Sequence, residues 1–261
     1  MIKKIILWGI SLVILLLNVA EAQDIDDIIN NMVKAIGGLE KIKEINTAVI
    51  EGRIYRGAME IPMVIKVKKP DKVRIEITIQ DKTMVQAYDG KTAWQIIPFM
   101  GTMETENIPD EEAKMLIEQA DLDGPFIDYK QKGNKIELVG EEELEGNKVY
   151  KLKIIKKSGD ISYFCIDKDS FIPLKRSVVI KKGDAKVVVD FILSDYKAVD
   201  GVMTPFTIEN KIDGQVATSI IIGEVKYNVE IEPEIFEKPK KGADEKEKSS
   251  DKKDEKRSKA M

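Results

Sequence analysis

The side chains that most often carry catalysis are scarce in this 261-residue sequence. There is no histidine, and Cys165 is the single cysteine. Serine and cysteine triads, histidine general bases and histidine-containing zinc sites are therefore ruled out. One thiol builds neither a cysteine-rich metal site nor an internal disulfide, so Cys165 is expected to be a small apolar side chain in a strand. No GxSxG, Walker phosphate loop or strand-linked GxGxxG is present, and Gly37-Gly38 has the character of a helix stop. Paired carboxylates, as glycosidases use, remain conceivable. The acidic candidates are Glu104 and Glu106, Asp110 to Glu112, and Glu141 to Glu143. Each has a plain explanation as a solvated loop, a helix first turn or a hairpin turn. With no nucleophile and base to pair, the sequence argues against an enzyme and implies no cofactor and no metal.

Apolar side chains offer a different chemistry. Of the ten methionines, Met32, Met59, Met63, Met84, Met100, Met103, Met115 and Met203 lie away from the ends. Methionine adapts to varied apolar shapes and suits a surface that accepts hydrocarbon, although by composition alone gap filling in a core is the simpler explanation. The elements that must position these residues tip the balance.

Ile25, Ile28, Ile29, Met32, Val33 and Ile36 form one stripe of a 3.6-residue period, which predicts a helix with Asp24 as N-cap and Gly37-Gly38 as its end. A short turn with Leu39, Ile42 and Ile45 repeats the spacing. The period then becomes two. Val73, Ile75, Ile77 and Ile79 alternate with Lys72, Arg74, Glu76 and Thr78, which predicts a strand with one buried and one wet face. Ile61, Met63, Ile65 and Val67 repeat the pattern, as do Ala48, Ile50 and Ile54. Turn signals at Arg56-Gly57, Lys69-Pro70-Asp71, Gln80-Asp81-Lys82 and Asp89-Gly90 mark consecutive hairpins. After Trp94 the meander pauses. Residues 97–108 are irregular and carry Phe99, Met100 and Met103, which suits a mobile lid. Pro109 to Glu112 then opens a helix with Ala113, Leu116, Ile117 and Ala120 on one side, stopped at Gly124-Pro125 and followed by Phe126 and Ile127. Strands are predicted again at 135–142, 147–157, 160–167, 171–182, 185–197, 202–212 and 215–228. The fold class is mainly β (α+β): 11–12 antiparallel strands curled into an unclosed barrel, with helices filling or covering the concave face. The inward side chains expected to line an apolar cavity are Met63, Ile65, Ile75, Ile77, Met84, Trp94, Phe99, Met103, Leu116 and Phe126.

The two ends are expected to lie outside this domain. Lys3 and Lys4, the apolar run Ile5 to Leu17, and Ala20-Glu21-Ala22 have the order of a secretory signal peptide cleaved after Ala22. That run is shorter than the roughly 20 apolar residues a spanning helix needs. No cysteine near this point could be acylated. Residues 237–261 are dominated by charge, with a net of +3, and cannot bury enough apolar surface to order themselves, which predicts a solvated tail. This division (1–22, 23–236 and 237–261) leaves the central domain at −8, a sign that argues against nucleic acid.

Several segments along that domain carry a resemblance. They are Ala35-Ile36-Gly37-Gly38-Leu39-Glu40-Lys41-Ile42, Tyr88-Asp89-Gly90-Lys91-Thr92-Ala93-Trp94 and Gly124-Pro125-Phe126-Ile127-Asp128-Tyr129. Gly140 to Gly146 leading into Tyr150-Lys151-Leu152, and Asp195 to Pro205, complete the series. In this order and spacing, across about 24–236, the chain resembles the LolA/LolB-like periplasmic carriers, the group of outer-membrane lipoprotein-sorting proteins. The resemblance implies an unclosed barrel whose cavity takes lipoprotein acyl chains or another lipid. It also implies a periplasmic monomer, with membrane proteins as donor and acceptor. The family's carriers have a critical arginine near the cavity; Arg53, Arg56 and Arg74 sit in early strands, and the sequence singles out none of them. On the same fold, a lipid- or lipoprotein-sensing interaction module is the alternative to a carrier.

Overall fold

The computed structural model describes residues 25–100, 104–182 and 185–239. The proposed signal peptide, the Asp24 cap and most of the charged tail lie outside them. Helix α1 covers 25–35, and its apolar stripe places Ile28, Ile29 and Met32 in the core. It ends where expected. Gly37 and Gly38 both have positive φ, which glycine adopts without strain. A Cβ on Gly37 would sit 2.6 Å from the Gly201 carbonyl oxygen. The Met203 amide donates to the Ile36 carbonyl at 3.0 Å. The glycine pair and the Asp200-Gly201 turn are thus two halves of one close backbone contact. Helix α2 (Leu39–Glu44) follows, burying Ile42.

The rest is one sheet. Strands β1 (Thr47–Arg56), β2 (Met59–Lys68), β3 (Lys72–Ile79), β4 (Lys82–Tyr88), β5 (Ala93–Ile96) and β6 (Glu106–Asn107) form a meander towards one edge. Helix α3 (Asp110–Glu118) and the turns of 119–134 cross to the other edge. There β7 (Lys135–Leu144), β8 (Asn147–Ile155), β9 (Ile161–Asp167), β10 (Pro173–Lys182), β11 (Ala185–Val199), β12 (Val202–Ile212) and β13 (Gln215–Tyr227) lead back until β13 pairs with β1. All pairings are antiparallel, and β6 and β7 remain unpaired edges of the 13-stranded sheet. This is the expected unclosed barrel, with one strand more than 11–12 because the two-residue β6 lies in the segment read as a lid. Residues 101–103 of that segment are outside the described residues.

The register confirms the predicted inward face. Ala48, Ile50 and Ile54 lie opposite Val67, Ile65 and Ile61, and Met63 and Ile65 lie opposite Ile77 and Ile75. Helix α1 packs this concave face of β7–β9 through Phe126, Leu152, Ile154, Phe164 and Ile166. Helix α3 packs β1–β3 and β5 through Ala113 and Leu116, joined by Ala120 of the turn that follows. Helix α2 closes one end against Val202 and Tyr227.

The outer face departs from expectation. The sequence predicts it wet, but a strap, 228–239, with a 3-10 turn at Pro233–Phe236, covers it over β1–β6. Four of these strands, β1, β2, β3 and β5, donate to it. Thr47 Oγ1 reaches the Val229 carbonyl at 2.6 Å, and Lys68 Nζ reaches that of Ile231 at 2.7 Å. Arg74 Nη1 reaches Ile235 at 2.8 Å, and Trp94 Nε1 reaches Phe236 at 2.8 Å. Lys238 Nζ donates to Asn107 Oδ1 at 2.7 Å. Trp94 and Phe236 are fully buried there, over Val85 and Ala87.

Candidate functional site

The site expected from sequence is the concave face, and the structure brings only part of the predicted set together on it. Met63, Ile77 and Met84 form one cross-strand row, with Ile65 and Ile75 in the next. Leu116 of α3 packs in the same cluster as Ile65, Ile75 and Ile77. Phe126 lies in the other half, edge-on to Phe164 at 4.9 Å between centroids. Phe99 is exposed at the rim, near Lys82. Met103 is outside the described residues. Trp94 requires correction. It lies opposite Ala87, which lies opposite Arg74, and so faces outward beneath the strap. The four-residue β5 puts Trp94 and Ile96 on one face and Ala93 and Gln95 on the other, so the apolar face is readable but lies on the outer side, where the strap meets it.

Between the two helix-covered regions the concave face has a different character. Phe206, Ile222 and Val225 form a cluster with Ile50, Val199, Ile208, Ile220 and Tyr227. No helix residue belongs to it among the described residues. Ile54, Phe191, Leu193, Ile208 and Ile220 stay only half-buried although all point inward. This stretch is an apolar lining without a cover of its own.

One charged side chain interrupts that lining. The row Leu152, Phe164, Arg176, Phe191, Asn210 and Thr218 runs across β8–β13. The Arg176 guanidinium lies 5.9 Å from the Phe164 ring centroid and 5.8 Å from that of Phe191. It is paired with Glu118 at the end of α3, and Lys156 reaches the same carboxylate. A cavity of about 190 Å³ opens beside them, lined by Ser162, Phe164, Pro125 and Asn134 among others. Of the four described arginines, Arg176 is the one half-buried among concave-face side chains; Arg56 shares the inward phase of Ile54 but is exposed at the end of β1. Arg53 is exposed, and Arg74 stacks over Trp94 on the outside at 5.7 Å. Sequence reasoning passed over Arg176, yet it left a signal: Arg176 falls in phase with Val178 in a strand of period two.

Polar contacts hold the cover in place. Lys132 pairs with Asp121 at 2.7 Å and donates to the Gly124 carbonyl at 2.7 Å. Lys43 pairs with Asp128 at 2.7 Å. Tyr129 and Lys130 both donate to Asp26 of α1 at 2.8 Å, and these bonds, that of Lys130 first, hold the Asp26 carboxyl below the usual carboxylate range. On the outer face, burial and the neighbouring Glu142 push the Cys165 thiol up to about 12. Among the described residues, no three His, Cys, Asp or Glu lie close enough together to hold a metal.

A DUF1329 family protein from Desulfovibrio piger superposes with a TM-score of 0.57 at 16% identity, covering 81% of this chain and 96% of that one. A LolA superfamily protein from Nitrosomonas europaea gives 0.55 at 12% identity, covering 80% and 96%. The fold is LolA-like. The same LolA-like sheet is shared by an outer membrane lipoprotein-sorting protein domain, described as putative, from Vibrio parahaemolyticus, with a TM-score of 0.53, 14% identity, and 76% and 94% coverage. A family model described as an uncharacterized protein matches residues 121–240, the half of the LolA-like barrel from the crossover through β13 and the strap. No curated protein matches the sequence.

Proposed function

We infer that this chain is an exported carrier that binds an apolar guest, a lipoprotein acyl chain or another lipid, on its concave face and moves it towards the outer membrane. The observation that carries this reading is the half-buried lining around Phe206, Ile208 and Ile220, an inward apolar surface on which no helix packs among the described residues. Apolar surface left without a partner on the inside of a curved sheet marks a binding site. Each buried methylene contributes about 0.8 kcal/mol, so ten supply roughly 8 kcal/mol before ordering costs. That affinity holds a lipid and still permits release. The basic start and apolar run before Ala22, and the names of the structural neighbours, support export to the periplasm.

A charge placed in the lining tests the reading. Ile208→Glu is expected to abolish uptake of an environment-sensitive apolar dye and the co-purification of lipid. Glu209→Ala, one residue on and facing out, is expected to leave both unchanged. Ile208 is preferable to Ile75, which lies in the α3 cluster where a carboxylate would disturb the fold itself. Equal dye uptake by the two variants contradicts the assignment.

A further inference from the structure

We propose that Arg176, Lys156 and Ser162 form a polar subsite that takes the anionic head group of an amphiphile, a carboxylate or a phosphate, while its chain lies on the adjoining lining. The inference rests on the apolar-cargo reading and names the class of cargo. Its starting point is that two donors here have nothing to donate to. The Arg176 Nε–H and the Ser162 hydroxyl are buried and have no hydrogen-bond partner among the described residues. Such orphans are uncommon in native interiors and call for an acceptor.

Charge points the same way. The cavity is lined by Lys132, Lys156 and Arg176 against Glu118 and Asp121, so one positive charge is in excess. Lys132 and Asp121 satisfy each other, which leaves two cations sharing the single carboxylate of Glu118. That carboxylate, on the last residue of α3, occupies the position an incoming anion would take. Guanidinium groups recognise carboxylate and phosphate through paired charge-assisted bonds. A volume of about 190 Å³ admits a head group but not a long chain. The chain has its own route: Phe164 and Phe191 flank Arg176, and Leu193, Ile208 and Ile220 continue from Phe191 across the half-buried face.

The test is a fluorescence titration of the full chain, stripped of lipid, with three pyrene-labelled probes: a long-chain fatty acid, its methyl ester, and a lysophosphatidate. The acid or the lysophosphatidate is expected to bind the unaltered protein about tenfold more tightly than the ester. Whichever does so identifies the source of the anion. Arg176→Met is expected to erase that gap with the ester unaffected. Glu118→Gln is expected to widen it, since it removes the internal competitor and leaves both cations. Should Arg176→Met fail to fold, Lys156→Met carries the same expectation in weaker form. Equal binding of both anionic probes and the ester overturns the subsite and leaves the apolar-cargo reading standing. A gap that survives Arg176→Met likewise overturns it. Failure of all three probes to bind overturns both.

Discussion

The two faces of this sheet are closed in different ways. On the outside, the strap buries Trp94 and Phe236 completely, accepts a hydrogen bond from β1, β2, β3 and β5, and donates one to β6. Large aromatic burial combined with satisfied backbone carbonyls makes a permanent seal. On the inside, α3 and the turn after it contribute Ala113, Leu116 and Ala120, two of them alanines, and the crossover is fastened by Phe126 and Ile127 together with partly exposed ion pairs. Exposed and half-exposed pairs are worth about 0–1 kcal/mol each. Between the inner covers, among the described residues, lies a lining on which no helix packs, and beside it are two donors without partners. A single sheet thus has one face committed to stability and another kept available. The proposed binding site lies on the weakly closed side.

The largest expected effect is on the sealed face. Phe236→Ala removes a fully buried aromatic, and such changes cost about 3–5 kcal/mol, or roughly 10 °C in melting temperature for a domain of this size. Thermal unfolding checks it, and dye uptake at room temperature is expected to survive. A loss of uptake with unchanged melting temperature breaks the division of roles.

Smaller effects sharpen it. Cys165 lies 1% exposed on the outer side, its thiol pushed up to about 12, so the native protein is expected to resist a thiol reagent at neutral pH and to react fully once unfolded. Rapid native labelling contradicts the burial of Cys165 on the outer side of β9, which the strap does not reach. The smallest effect concerns α1. The Asp26 carboxyl is depressed in the folded state, so its contribution is present above the unfolded carboxylate value and is lost as pH falls through the folded one. Asp26→Asn is expected to flatten that acid limb of the stability profile by well under 1 kcal/mol, given the exposure of the pair.

Most of the fold was legible because alternation is a local property. Ile75 and Ile77 between Arg74 and Glu76 announce a strand and its inner face, and Gly37-Gly38 announces a helix end, although only the structure shows Gly201 pressed against it. The strap was not legible. Val229, Ile231, Ile235 and Phe236 form no regular period, and their meaning depends on Trp94, far away in sequence. For the same reason Trp94 was assigned to the wrong face. The site was half legible. Met63, Ile65, Ile75, Ile77 and Met84 do share the concave face, but the uncovered stretch lies on β11–β13, because which part of the face the helices cover is decided by tertiary packing and not by strand pattern.

The central claim is that hydrocarbon occupies the concave face between the helix-covered regions. A long-chain amphiphile with a photoreactive group at the end of its chain, irradiated in complex with the protein and mapped by peptide mass spectrometry, tests it most directly. Labels on the peptides holding Leu193, Ile208 and Ile220 are the predicted result. Labels confined to the strap, to Trp94 or to the outer strand positions would contradict the account.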